Sequence, residues 1–158
     1  MTYFIDIDPG LSGAIAMYHP ADDWLLVVDM PIHEVRAAGK TARTLDTALL
    51  ADMLSARGDA KLAVIEAVHS MPKQGVASSF KFGFVAGAIQ QAVACNKIPV
   101  HLVTPGQWKR HFNLSSDKDM SRKRASELLP KHARHWPLKK HDGRAEAALL
   151  ALYGSKLT

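Results

Sequence analysis

The stretch Tyr3-Phe4-Ile5-Asp6-Ile7-Asp8-Pro9-Gly10-Leu11-Ser12-Gly13 constrains the fold more than any other part of the chain. Its apolar and β-branched residues predict a strand, and Pro9-Gly10 ends that strand in a turn. Side chains two apart on a strand point to the same side. Phe4, Asp6 and Asp8 therefore face one way, and Tyr3, Ile5 and Ile7 face the other. Carboxylates near the end of a buried strand are costly unless something cationic meets them. Either a metal ion supplies that charge, or Asp8 simply caps the Pro-Gly turn. The first alternative requires further oxygen ligands elsewhere in the chain.

The rest of the sequence supplies elements that could carry them. Gly13–Tyr18 and Trp24–Met30 read as two more strands, joined by the turn cluster His19–Asp23, and short turns between consecutive strands imply an antiparallel meander. Residues 33–43 are polar, lack a clear period and read as a loop. Thr44–Arg57 has the apolar spacing of an amphipathic helix, with Gly58 at its end. Lys61–Glu66 is a short apolar run closing on a carboxylate, as expected of a strand covered on both faces. A loop, His69–Ala77, leads into a long helix, Ser78–Asn96. That helix carries Phe80, Phe84, Ala88 and Gln91 on one side, and Gly83 and Gly87 four apart, a spacing that lets a neighbouring helix come close.

Ile98–Val103 is the next strand, and Thr104-Pro105 is a good helix start. That helix bears Trp108, Lys109 and Arg110. A basic helix spans Met120–Leu129, residues 131–141 look irregular, and a last helix runs from Asp142 to Tyr153 and stops at Gly154. Strands first in a meander and then alternating with helices predict an α/β fold with a mixed sheet flanked by helices.

Length and composition narrow the function. At 158 residues the chain reads as one domain, 1–158, with a real core. It has no apolar run of about 18 residues, so no membrane partner is expected. The N-terminus lacks a basic-then-apolar signal pattern, and the single Cys95 suits a reducing compartment, so the expected location is cytoplasmic. The formal charge of +5 permits nucleic-acid binding, and the cations concentrate between Lys109 and Arg144.

Four carboxylates stand at element ends. Asp8 closes the first strand and Glu66 the fourth, while Asp142 and Glu146 lie four apart on one face of the last helix. If strands one and four are neighbours, these groups gather at one end of the sheet. An all-carboxylate set suits Mg²⁺ or Mn²⁺, and two such ions roughly 3.5–4 Å apart clamp the attacking and leaving oxygens of a phosphoryl displacement. Each acid also has an ordinary role open to it. Glu66 could face solvent, Asp142 could be a helix N-cap, Glu146 could pair with Lys139 or Arg144, and Asp6 could be a sheet-edge charge.

The residues then match a known family. Ile7-Asp8-Pro9-Gly10 with Ser12-Gly13, then Val64-Ile65-Glu66, then an acidic pair opening a helix before Ala-rich sequence, resemble the RuvC-type Holliday junction resolvases of the RNase H-like superfamily. The blocks Glu66–Gly75, Ser79–Gly83, Val103–Lys109 and His141–Ala147 look more like the small phage-borne RuvC-like enzymes than the bacterial housekeeping ones.

The resemblance implies an RNase H-like fold with a five-stranded mixed sheet, an antiparallel three-strand meander plus two parallel strands. It implies two Mg²⁺ ions per site, with Mn²⁺ able to substitute. It also implies a homodimer acting on branched, four-way DNA in a bacterial or phage-infected cell. The reaction would be structure-selective endonucleolytic hydrolysis, nicking two strands symmetrically and leaving 5′-phosphate and 3′-hydroxyl ends. Asp8, Glu66 and Glu146 match the family's catalytic, metal-holding acids, and Asp142 matches the remaining one. The housekeeping enzymes space that last pair three apart rather than four, which leaves His141 as the alternative fourth participant. Asp6 falls where the family has a small residue and becomes a supporting carboxylate or alternative ligand.

Lys109 sits where the family carries a basic residue. It would contact the scissile phosphate, or else lie along the surface beside Trp108. His69 takes the place of a base-contacting aromatic, with Met71 as a possible wedge and Lys73 in the same loop. Lys118, Arg122, Lys123 and Arg124 form a basic cluster, read as a phosphate-contacting face or as a merely solvated helix. His132 and His135 read as a phosphate-contacting or surface pair. Alternatives within the fold are a nuclease for RNA–DNA hybrids or branched replication intermediates, and a DNA-binding protein with a degenerate site. A sugar-kinase or actin-like ATPase would need a duplicated domain, which this chain is too short to hold.

Overall fold

Ile5 and Ile7 are fully buried on one face of the strand β1 (Tyr3–Ile7), and Phe4 and Asp6 are buried on the other, so β1 runs through the middle of the molecule. The computed structural model describes residues 2–57 and 59–158. Gly58, read as the end of a helix, lies outside them. β2 (Ala14–His19) pairs antiparallel with β1, and β3 (Trp24–Asp29) pairs antiparallel with β2. On the other side of β1, β6 (Ala60–Glu66) and then β7 (Val100–Val103) add in parallel. The order β3-β2-β1-β6-β7 is the expected five-stranded mixed sheet, and helices flank it on both faces.

One apolar cluster joins Ile5, Ile7, Ile15 and Ile65 to α1 (Thr47–Ser55) and α2 (Val76–Cys95). The other joins Ala14, Ala16 and Val64 to α3 (Pro105–His111), α4 (Lys118–Leu128) and α5 (Asp142–Lys156). Short 3₁₀ turns, Pro130–His135 and Lys139–His141, connect α4 to α5 where the sequence looked irregular. Among the described residues no helix is long and apolar enough to cross a membrane.

The structure departs from these expectations at several places. Residues 33–43 are not a loop but most of a β-hairpin, β4 (Ile32–Ala37) and β5 (Lys40–Leu45). Its two-residue turn holds Ala38 at φ 50° and Gly39 at φ 74°, the positive-φ pair that a tight hairpin turn demands. Buried positions occur only at its base, so no apolar alternation marks it in the sequence. The helix that follows starts at Thr47 rather than Thr44, capped by Asp46, whose Oδ1 accepts from the Leu49 N–H at 2.9 Å.

Gly154 does not stop the last helix. It lies within α5, and a Cβ there would come 2.7 Å from Val64 Cγ2. Its missing side chain is what lets α5 lie flat on β6. Lastly, the Phe80–Phe84 side of α2 faces solvent, while Val85, Ala86, Ile89 and Val93 make the buried face.

Candidate active site

The parallel pairing of β1 with β6 sets the site. Asp6 lies opposite Val64, which puts Asp8 level with Glu66, each just past or at the end of its strand. The turn after Asp8 is tight. Gly13 N donates to Gly10 O at 3.0 Å, and Asp8 N donates to Ala14 O at 3.1 Å. A Cβ on Gly13 would fall 2.7 to 2.8 Å from the Asp8 side chain, so only glycine admits the carboxylate in this position. Gly143, in the first turn of α5, sits against the same turn. Its Cβ position is 3.3 Å from Ser12 O and 3.8 Å from Asp8 Oδ2. The start of the last helix thus abuts Asp8, with Asp142 adjacent in sequence and Glu146 one turn along.

Asp6 reports on the convergence. Its side chain has no solvent exposure, and neither carboxylate oxygen accepts a well-formed hydrogen bond; the Ile7 N–H relieves it only weakly. Burial raises its pKa well above the ordinary value of 3.8, and the charges of Asp8 and Glu66, then Glu146, push in the same direction. Asp6 is therefore not the sheet-edge charge that was the ordinary alternative. It stands in the middle of the acidic group.

Donors from two helices hold the outer carboxylates. Trp108 is fully buried in α3, and its Nε1–H donates to Glu66 Oε2 at 2.7 Å. Ser121 is fully buried in α4, and its hydroxyl donates to Glu146 Oε1 at 3.0 Å. Lys109 Nζ lies 3.9 Å from the same Glu146 oxygen and 5.4 Å from the centroid of the Trp108 ring. Glu146 thus engages Lys109, while the cations first considered for it go elsewhere. Arg144 makes two 2.7 Å bonds to Asp29, and Lys139 lies 3.6 Å from Asp119. Asp142 is not the N-cap of α5; His141 occupies that position and makes no side-chain cap.

Sequence reasoning missed Trp108 and Ser121 as partners. A buried indole needs an acceptor for its N–H, and that rule, applied to Trp108, could have pointed to a carboxylate.

The donor set is carboxylate oxygen throughout, and Asp6 is an acid beside other acids with no strong donor. A hard divalent cation would relieve that cost, so these residues fit such an ion. Among the described residues no three His, Cys, Asp or Glu side chains are close enough together to ligate a metal as they stand. The carboxylates share a region without closing on one point.

The remaining candidates are dispersed. The loop after Glu66 is open. His69 is exposed, Met71 is 60 % exposed and Lys73 has φ 67°. In α4, Lys123 is exposed, whereas Arg124 is spent on Phe112 O at 3.2 Å and Glu127 at 3.0 Å. Arg122 lies near enough to His141 to help lower that imidazole's pKa, after desolvation, Arg144 and Lys140. The side chain of Lys118 lies outside the described ones. His141 Nδ1 accepts from the Leu138 N–H at 3.2 Å. His132 is buried, with Nε2 2.8 Å from Asp23 O, and stacks on His135, so the pair is part of the fold rather than a phosphate contact.

Solved structures of RuvC share this architecture. Thermus thermophilus RuvC in complex with a Holliday junction substrate superposes with a TM-score of 0.61 at 17% identity, over 96% of this chain and 89% of that one. A second structure of Thermus thermophilus RuvC gives 0.56 at 19% identity, over 96% and 90%. No protein-family model matches the chain, and no curated protein matches it in sequence. The chain has a RuvC-like, RNase H-like fold.

One consequence concerns stability. Asp6 has a raised pKa, so its ionisation penalises the folded state, and stability falls as pH rises from the ordinary value near 3.8 through the raised one. Without metal, Asp6→Asn is expected to be more stable than wild type at pH 7, by roughly 1–3 kcal/mol. The difference should fade as pH drops below 3.8. Thermal unfolding in EDTA across that range checks this; identical melting at pH 7 would remove the argument for a strained acidic centre.

Proposed function

We propose that the chain is a divalent-metal-dependent endonuclease that cuts four-way DNA junctions symmetrically, leaving 5′-phosphate and 3′-hydroxyl ends. The observation that carries this reading is the buried Asp6 coupled to Asp8, Glu66 and Glu146, with Lys109 beside them, at one end of a RuvC-like sheet. Asp8, Glu66, Asp142 and Glu146 would hold two Mg²⁺ ions, or Mn²⁺, with Asp6 in support. The chemistry such ions supply when bound is activation of water and neutralisation of charge at phosphorus.

The chain's own groups do the rest. Trp108 fixes the Glu66 carboxylate and Ser121 fixes Glu146, so these acids are oriented before substrate arrives. Lys109 offers a cation to the phosphate as negative charge builds on it. Asp142 is favoured over His141 as the fourth acid, because the His141 Nδ1 is already taken by a backbone N–H. The exposed loop with His69, Met71 and Lys73 begins at Glu66, which suits contact with bases or backbone at a junction. Lys118, Arg122 and Lys123 on α4 would meet phosphates farther along, and Arg124 contributes less because it is engaged. Such an enzyme would work in the cytoplasm of a bacterial or phage-infected cell, where its substrate forms.

Symmetric cutting requires two sites, and α2 offers a surface for a second copy. Val76, Phe80 and Phe84 repeat every four residues along it, with Phe80 77% and Phe84 56% exposed. Beside them, Gly83 and Gly87 have open space where a side chain would be. Exposed apolar stripes of this kind mark association faces.

Labelled four-way, linear duplex and RNA–DNA hybrid substrates in Mg²⁺ test the reading. Paired nicks confined to the junction are expected, and Asp8→Asn or Glu66→Gln should slow them by about a hundredfold or more while junction affinity holds. Equal cutting of linear duplex would sink the junction claim, and faster cutting of hybrid would favour a ribonuclease instead. Full activity in both variants would show that the acids are not catalytic. For the second copy, the wild type should sediment as a dimer at micromolar concentration, and Phe80→Glu/Phe84→Glu as a monomer. A wild-type monomer would contradict the dimer.

A further inference from the structure

The β4–β5 hairpin is the largest feature that the catalytic group does not use. A two-stranded ribbon is marginal by itself in water, and this one is held only at its base. Ile32 and Leu45 form a cross-strand pair, with Leu45 buried in the core beside Ile32. Backbone bonds from Met30 N to Gly13 O at 3.0 Å and from Asp46 N to Pro31 O at 2.9 Å tie both ends down. Everything beyond that pair is exposed, from His33 through Arg43. The exposed part carries Arg36, Lys40 and Arg43 against a single acid, Glu34. Among the described residues none of these three cations makes a salt bridge.

Register says where the cations point. Residues directly opposite one another on paired strands share a face, and so do residues two apart. The face that Ile32 and Leu45 turn to the core therefore continues outward as the pairs Glu34–Arg43 and Arg36–Thr41. Arg43 in fact lines a cleft of about 410 Å³. Lys140, His141, Ser12, Gly13 and Gly143 line the same cleft. Gly13 and Gly143 both pack against the Asp8 side chain. The cleft thus opens beside Asp8, with Arg43 and Lys140 both in its lining. Its acid, Asp29, is already neutralised by Arg144.

We infer that this cleft and the hairpin above it bind the sugar–phosphate backbone of the DNA strand that runs into the active site. Arg43 and Lys140 grip one phosphate between them, Arg36 on the same face of the ribbon reaches a further phosphate of the same arm, and Lys40, paired with Ala37 on the other face, adds positive charge next to the turn. A ribbon stiffened by a two-residue turn and fixed at its base can present these cations with little ordering to lose on binding. The sequence bias, the register and the adjacency to Asp8 all favour a polyanion over any apolar partner. The inference rests on the nuclease reading for the identity of the polyanion as DNA.

The test is fluorescence anisotropy with a labelled four-way junction and a duplex matching one arm, in EDTA so that nothing is cut. The variant Arg36→Gln/Lys40→Gln/Arg43→Gln is expected to lose roughly tenfold or more in affinity for both. Its plot of log affinity against log salt should be shallower by about 2 to 3, near 0.9 for each phosphate contact removed. Arg36→Lys/Arg43→Lys should restore most of the affinity, and melting of all variants should match wild type because the altered side chains are exposed. Unchanged affinity and salt slope in the triple variant overturn the proposal and leave the ribbon to an acidic protein partner. The two readings separate cleanly. If the wild type cuts no junction but the triple variant still loses DNA affinity, the groove stands and the nuclease reading falls. If the wild type cuts junctions and the triple variant binds them as tightly, the groove falls and the nuclease reading stands.

Discussion

The parallel pairing of β1 with β6 governs the rest of this molecule. It sets Asp6 opposite Val64 and brings Asp8 level with Glu66. Two acidic strand ends then share one edge of the sheet, and the fold must keep them there against their mutual repulsion. It does so by over-determining the neighbourhood. Gly13 and Gly143 leave room for the Asp8 side chain, Gly154 lets α5 press onto Val64, and donors from α3 and α4 fix Glu66 and Glu146. Asp6 is left buried, with neither carboxylate oxygen in a well-formed hydrogen bond. Like charges gathered in this way raise one another's pKa, a cost that a divalent cation would relieve.

Much of this was legible in the sequence because it depends on short-range rules. The period of two in Phe4-Ile5-Asp6-Ile7-Asp8 placed Asp6 and Asp8 on a common face, and the run Lys61–Glu66 marked a strand covered on both faces. The Thr104-Pro105 helix start holds, with Thr104 Oγ1 accepting from the Gln107 N–H. What escaped is what depends on distant partners or on backbone alone. Trp108 and Ser121 look like unremarkable residues of a helix until the sheet brings Glu66 and Glu146 to them. The hairpin lacks an Asn-Gly or Asp-Gly turn and has no buried alternation, so its polar sequence imitates a loop. The exposure of Phe80 and Phe84 cannot be read from spacing, because α2 has apolar residues on more than one face and only packing shows which face is covered.

The surfaces left open form a consistent set. Cations border the acidic end of the sheet: Arg43 and Lys140 line the cleft beside Asp8, Lys109 pairs with Glu146, and Lys73 stands in the loop after Glu66. That alternation of an anionic centre with a cationic rim suits a polyanion held at its flanks, as the proposed reading requires. A purely basic surface would bind phosphate without activating it, and a purely acidic one would repel it. The apolar stripe of α2, the surface proposed for a second copy, lies on the helix layer opposite the one that carries Lys109 and Glu146.

The account stands on the carboxylates forming one divalent-cation site. Calorimetric titration of the metal-free protein with Mn²⁺, in wild type and in Asp8→Asn, tests that most directly. Saturable binding in the wild type, with a rise in melting temperature on loading, and loss of both in Asp8→Asn is the predicted result. A wild type that takes up no Mn²⁺ at millimolar concentration, or an Asp8→Asn variant that binds it as well as wild type, would contradict the account.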